Sequence, residues 1–128
     1  MKINKDLVFF ITGGASGLGE ATVSLLHMLG CKIAIADFNE ERLDLLKKEL
    51  KTNILCIKCD VTKEEDVKRA IEETTNHYGT IHAALACAGV ATAAMTLTSK
   101  GGLDMDIFKK VLEINLYGSM YVAKYASM

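Results

Sequence analysis

With 128 residues, half of them hydrophobic, the chain is long enough for one domain with a real core. A formal net charge of −1 and no cluster of Lys or Arg argue against nucleic acid or an anionic membrane as the main partner. No run reaches the ~20 apolar residues of a spanning helix. The short, mixed-charge start Met1–Asp6 does not read as a signal or transit peptide, so secretion is not expected and the four cysteines are expected as reduced thiols.

Leu7–Thr12 is a short continuous apolar run that ends in Gly13-Gly14, the pattern of a buried parallel strand. Ser16–Leu29 has helical character, and Gly30 is its natural stop. Lys32–Ala36 is a second buried strand. Asn39 is placed to cap the next helix, whose Leu43, Leu46 and Leu50 share one face. Ile54–Lys58 is a third strand. Thr62-Lys63-Glu64-Glu65 has the form of a capping box, so a helix is predicted from there to about Tyr78, ended by Gly79. Ile81–Cys87 is a fourth strand. A polar loop, Thr96–Gly102, leads to a last helix from about Asp104.

Strict alternation of strand and helix predicts an α/β fold, a parallel sheet with helices on both faces. Right-handed crossovers in a doubly wound Rossmann-type sheet give the strand order 3-2-1-4. There are no internal repeats or linkers, so the whole chain, 1–128, is expected to be one domain.

Thr12-Gly13-Gly14-Ala15-Ser16-Gly17-Leu18-Gly19 joins a strand to a helix. Gly13 allows a tight turn out of the strand. Gly17 lets the backbone approach a pyrophosphate, and Gly19 lets the helix pack closely. The helix N-terminus then offers unpaired N–H groups and partial positive charge to phosphates, with the Ser16 hydroxyl as a further donor. A tight structural turn is the plainer reading of the glycines alone. Against it stands Asp37 at the end of the next strand, where a carboxylate can accept both ribose hydroxyls of an adenosine. It would also repel the extra phosphate of NADP, and no Arg or Lys flanks it, so NAD is the expected cofactor.

These residues resemble the short-chain dehydrogenase/reductase family. The glycine motif matches in full, and the match continues through Asp60-Val61, through Cys87-Ala88-Gly89 and to Asn115, covering essentially the whole chain. Within the family the sequence is most similar to the type 2 3-hydroxyacyl-CoA dehydrogenase branch, through Ile11–Gly19, the Cys87–Ala91 turn and the extended Thr96–Gly102 loop. The resemblance implies contacts of Ser16 and Leu18 with the pyrophosphate and nicotinamide side, and of Asp37 with the adenosine ribose. It implies that Asp60 and Val61 bracket the adenine, and that Cys87, Ala88 and Gly89 line the nicotinamide ribose. Asn115 would be the helix-kink residue beside a backbone carbonyl that positions a water for proton transfer. It implies a substrate as well: a secondary alcohol, first of all a 3-hydroxyacyl-CoA, with a steroid or sugar alcohol as the alternative. A cytoplasmic or mitochondrial-matrix homo-oligomer is expected.

Two departures from the family stand out. Where the family has Asn-Asn-Ala-Gly after the fourth strand, this chain has Ala86-Cys87-Ala88-Gly89 and loses amides that tie the sheet together. The family also uses a Ser, and a Tyr with a Lys four residues later, for proton transfer. No Tyr here has Lys at that offset: Tyr78, Tyr117 and Tyr121 are followed there by His82, Tyr121 and Tyr125. The chain is therefore expected to be part of a longer enzyme and inactive alone; a catalytically inactive nucleotide-binding or interaction module is the other reading. Lacking an outer neighbour, the fourth strand is expected to be a sticky edge, so that this half self-associates or stays paired with its complement.

Other constellations read as structural. Cys56 and Cys59 form a C-x-x-C within a strand, not at the helix N-terminus a redox pair needs. His27, His77 and His82 are scattered; His82 is placed at the end of its strand remote from the cofactor, and His77 just after a helix. Glu64, Glu65 and Asp66 suit a helix N-terminus. No metal site is expected.

Overall fold

A computed structural model describes residues 2–99 and 101–128. The order of elements is β1 (Val8–Thr12), α1 (Gly17–Met28), β2 (Lys32–Asp37), α2 (Glu40–Leu50), β3 (Ile54–Lys58), α3 (Glu64–Tyr78) and β4 (Ala83–Ala86). A small hairpin, β5 (Leu97–Thr98) and β6 (Gly101–Gly102), precedes α4 (Met105–Leu112), a π-turn (Glu113–Tyr117) and α5 (Gly118–Ala126). The first four strands form a parallel sheet in the order β3-β2-β1-β4, as the alternation of elements predicts.

Every residue of β1 is buried because helices cover both faces of the sheet. Period-two alternation then divides the core. Phe9, Ile11, Ile33 and Ile35 face Val23 and Leu26 of α1 and Leu43 and Leu46 of α2. Phe10, Ala34, Ala36 and Ile57 face Val67, Ala70 and Ile71 of α3 and Val122 of α5. The ends of β1, β2 and β4 that carry Thr12, Asp37 and Ala86 lie together at one edge of these layers, which is where a doubly wound sheet forms its crevice.

Four local expectations are corrected. The predicted capping box does not form, because the Thr62 N–H and hydroxyl both donate to Asp60 Oδ1 (3.0 and 2.7 Å). Lys63 is the cap, and the Asp66 carboxylate reaches back to the Asp60 N–H (3.1 Å). The fourth strand is Ala83–Ala86 and not Ile81–Cys87. As an edge it has one strand neighbour, and its pairing thins to single bonds from His82 N–H to the Val8 carbonyl and from Cys87 N–H to the Thr12 carbonyl. The loop Thr96–Gly102 folds back as the β5–β6 hairpin; its Lys100 lies outside the described residues. His77 lies in the last turn of α3, exposed, with its ring edge-on to Tyr78.

The last helix begins at Asp104, whose carboxylate caps it. It is interrupted by one π-turn, Glu113–Tyr117, which contains Asn115. No residue of α4 is buried, whereas α5 packs Gly118 and Val122 into the core. No helix among the described residues is long and apolar enough to cross a membrane.

Candidate functional site

The glycine turn is built by contact between backbones. Gly13 has φ +65°, and a Cβ there would meet the Ala88 nitrogen at 2.5 Å. A Cβ on Gly19 would overlap the Gly13 carbonyl oxygen. Gly19 thus packs the helix onto the turn itself, a closer approach than the helix–sheet packing expected of it. Gly17 differs from both: it has φ +54° and nothing within 4 Å of a Cβ, so its bare backbone faces open space. The first backbone bond of the helix runs from Glu20 N–H to the Ser16 carbonyl, so the N–H groups of Gly17, Leu18 and Gly19 precede it. Ser16 is the cap residue, yet its side chain makes no capping bond. Its hydroxyl and these amides are the donors a phosphate needs.

Asp37 is only 7% exposed and is anchored at both oxygens. Oδ2 accepts from the Ala15 N–H of the glycine turn (3.1 Å) and Oδ1 from the Asn39 N–H (3.0 Å). Asn39 Oδ1 in turn accepts from the Arg42 N–H (3.1 Å), capping α2 as predicted. Arg42 closes the ring, because its Nε donates to the Ala15 carbonyl (3.1 Å) while its guanidinium meets Glu20 Oε2 at 2.6 Å. The sequence reading found no cation flanking Asp37. The fold brings one from five positions on, by the first turn of α2.

These parts surround one cavity of ≈ 510 Å³, within the size range of cofactor sites. Gly13, Ser16, Gly17 and Leu18 line it from the turn, and Asp37 from β2. Asp60 and Val61 contribute from the loop after β3, and Cys87, Ala88 and Gly89 from the turn after β4. Gly19 and Asn115, also read as site residues, stand behind the wall. The sequence reading missed Phe38, Lys110 and Ile114, which also line it. Phe38 carried a signal, since a large apolar side chain that is 75% exposed beside a buried acid has a surface to offer a ligand. Lys110 carried none, because only the packing of α4 brings it there. Burial pushes the Asp60 carboxyl up, but the Thr62 bonds, Lys63 and Lys110 outweigh it and hold the group below the usual carboxylate range.

Asn115 grips the turn after β4 with a reciprocal pair. Its Oδ1 accepts from the Val90 N–H (2.9 Å) and its Nδ2 donates to the Val90 carbonyl (2.8 Å). The Ser119 hydroxyl donates to the Asn115 carbonyl at 2.7 Å. Across the turn, the buried Thr12 Oγ1 has no hydrogen-bond partner among the described residues. Cys87 offers no side-chain amide there, so only its backbone N–H ties it to Thr12, in keeping with the loss of amides read in the sequence.

The two thiols of the C-x-x-C pair do not act together. Cys56 packs with the α1–α2 layer and Cys59 with the α3–α5 layer, so the C-x-x-C pair is divided between opposite faces of the sheet. Burial, with Asp66 nearby, pushes the Cys59 thiol up to about 12, far from a reactive thiolate. At the start of β4, His82 Nδ1 accepts from the buried Val8 N–H (2.9 Å), a structural role at the strand end remote from the cavity.

A family model described as enoyl-(acyl carrier protein) reductase matches residues 13–128. Short chain aldehyde dehydrogenase 1 of Euphorbia lathyris is 36% identical over 129 residues, covering 94% of this chain and 42% of the relative. The human 3-hydroxyacyl-CoA dehydrogenase type-2 is 36% identical over 122 residues, covering 94% of this chain and 47% of the relative. A solved short-chain type dehydrogenase/reductase from Mycobacterium ulcerans superposes with a TM-score of 0.85 at 26% identity, over 98% of this chain and 47% of that one. The chain therefore spans about half the length of the relatives it matches.

Proposed function

The chain belongs to the short-chain dehydrogenase/reductase family, and on that premise we propose that it is the NAD-binding part of an oxidoreductase that moves hydride between a secondary alcohol and NAD. The observation that carries this reading is the Asp37 carboxylate, fixed by two backbone amides in the wall of the same cavity as the open Gly17 backbone. The family uses NAD or NADP; the acid at this corner favours the cofactor without a 2′-phosphate. The cavity fits such a group: a bare glycine backbone and an uncommitted Ser16 hydroxyl at one side, and a buried acid at the other.

When bound, NAD supplies the nicotinamide carbon that accepts or gives hydride. The chain's own residues bind and orient. Ser16 and the amides of Gly17 and Leu18 hold the diphosphate, with Gly13 and Gly19 shaping the turn. Asp37 accepts the adenosine ribose hydroxyls, and Asp60 and Val61 bracket the adenine. Cys87, Ala88 and Gly89 line the nicotinamide ribose with backbone. Asn115 is a positioning residue: it fixes Val90 and sits in the π-turn, whose irregular backbone leaves a carbonyl able to hold a water in the proton relay.

The proposed substrate is a 3-hydroxyacyl-CoA, supported by the similarity to the human enzyme of that name and by the Cys87–Ala91 turn. An equally similar relative named for aldehydes favours a second reading, another alcohol or carbonyl of the same family chemistry. The proposed compartment is the cytoplasm or the mitochondrial matrix. No Tyr-x-x-x-Lys occurs in the sequence, so the 128 residues are expected to bind NAD without turning over an alcohol. Calorimetry with NAD, followed by absorbance at the NADH band with a 3-hydroxyacyl-CoA, tests both halves. Absence of binding overturns the site, and turnover overturns the claim that the proton-transfer group is elsewhere.

We also propose a homo-oligomer. β4 has a strand neighbour on one side only, Ala84 and Ala86 are exposed on it, and α4 buries no residue. Light scattering of the purified chain is expected to give a mass above the monomer's 13.9 kDa. A monodisperse monomer would sink this idea.

A further inference from the structure

Beside Asp37, just outside the residues that line the cavity, stands a cation that the proposed NAD preference does not explain. Arg42 sits at the third position of α2, where the partial positive charge of the helix N-terminus disfavours a guanidinium. It is nevertheless held there from three directions: by the Asn39 cap through its own N–H, by the Ala15 carbonyl and by Glu20. Ala15 is gripped at both ends, its N–H by Asp37 and its carbonyl by Arg42, so the guanidinium stands one residue's backbone away from the carboxylate. The other cation at this corner, Lys58, is the register partner of Asp37 and is drawn off in the same way, to Glu40 Oε2 at 2.7 Å.

We propose that Glu20 is a specificity-determining residue, which rejects a 2′-phosphate by neutralising and holding Arg42. This rests on the reading of the cavity as a nucleotide site with the adenosine ribose at Asp37. A 2′-phosphate would project from that ribose toward the corner where Asp37, Arg42 and Glu20 meet. Two carboxylates there oppose one guanidinium, so the local balance repels a dianion. Arg42 is the natural phosphate ligand of the set, because a guanidinium makes charge-assisted, bidentate bonds to phosphate oxygens. In the wild type its Nε is committed to Ala15 and one of its two terminal nitrogens, Nη2, to Glu20. Discrimination is thus set by a residue on α1 that need not touch the cofactor. Side-chain exposures of 42% for Arg42 and 30% for Glu20 leave the guanidinium able to turn toward solvent once released.

Calorimetric titration of NAD and NADP into the wild type, Glu20→Gln and the double variant Glu20→Gln with Arg42→Gln tests this. Removing the Glu20 charge is expected to lower the ratio of the NADP to the NAD dissociation constant by about tenfold, and added salt should erode the gain. The double variant is expected to lose that gain, because the phosphate ligand is gone. A ratio within about twofold of wild type in Glu20→Gln overturns the proposal while leaving the NAD site intact. So does an equal gain in the double variant, which would trace the effect to loss of the Glu20 carboxylate itself and not to release of Arg42. If the wild type binds no NAD, the cavity reading fails and this inference falls with it.

Discussion

Gly19→Ala is expected to abolish NAD binding and to lower stability by about 3 kcal/mol. A Cβ at Gly19 would lie on the Gly13 carbonyl oxygen, with the Gly13 carbonyl carbon and the Gly14 Cα also within 3.0 Å. All three are backbone atoms, so no rotamer change relieves the overlap. The turn would have to move off the helix, taking with it the Gly13–Ala88 approach that joins β1's end to the turn after β4. Gly17→Ala is the informative contrast. Its Cβ would meet nothing, and the left-handed φ of +54° costs only about 1 kcal/mol, yet the added methyl would stand where a diphosphate must come close. Thermal unfolding should therefore separate the two variants, while calorimetry with NAD finds both impaired. A Gly19→Ala protein that melts with the wild type would show that the helix does not rest on the turn as described.

The contrast bears on what could be read from residues in order. Gly13, Gly17 and Asp37 could be placed from the sequence because each answers a local demand: a positive φ, a bare backbone, an acid at a strand end. Strand order 3-2-1-4 followed from alternation and chirality alone. The capping box at Thr62 failed because Asp60, two residues earlier, competes for the Thr62 hydroxyl and N–H and wins with short bonds. The limits of β4 failed because an apolar run such as Ile81–Cys87 looks the same on a covered strand and on an edge, and pairing on one side shortens it. The chain has no local mark for the meeting of Arg42 with Ala15 and Glu20, residues separated by 27 and 22 positions. Such contacts arise only when the fold brings the start of α2 beside the glycine turn and the first turn of α1. Lys110 likewise entered the cavity wall only through the placement of α4.

Asp37→Ala is the substitution expected to change cofactor choice most. In the wild type the carboxylate has two separable tasks: it accepts the Ala15 and Asn39 N–H groups, and its remaining lone pairs face the cavity. Alanine ends both. Two N–H groups lose their acceptor, one of them buried, so stability is expected to fall by about 2 kcal/mol. NAD affinity is expected to fall about tenfold or more, and the discrimination against NADP to shrink sharply, since one of the two carboxylates that repel a 2′-phosphate is gone while Glu20 still holds Arg42. Asp37→Asn divides the tasks. Its carbonyl oxygen can still accept one of the two N–H groups, so more of the fold is kept, but the amide is neutral and offers one acceptor in place of two. If Asp37 acts on the cofactor, the asparagine variant retains stability and still loses the preference for NAD. If it serves the turn alone, affinity for both nucleotides falls in parallel with stability across the two variants and the NADP to NAD ratio stays fixed. Equal affinity of the wild type for both nucleotides would remove the role of Asp37 altogether, and with it the reason to read this corner as the seat of cofactor choice.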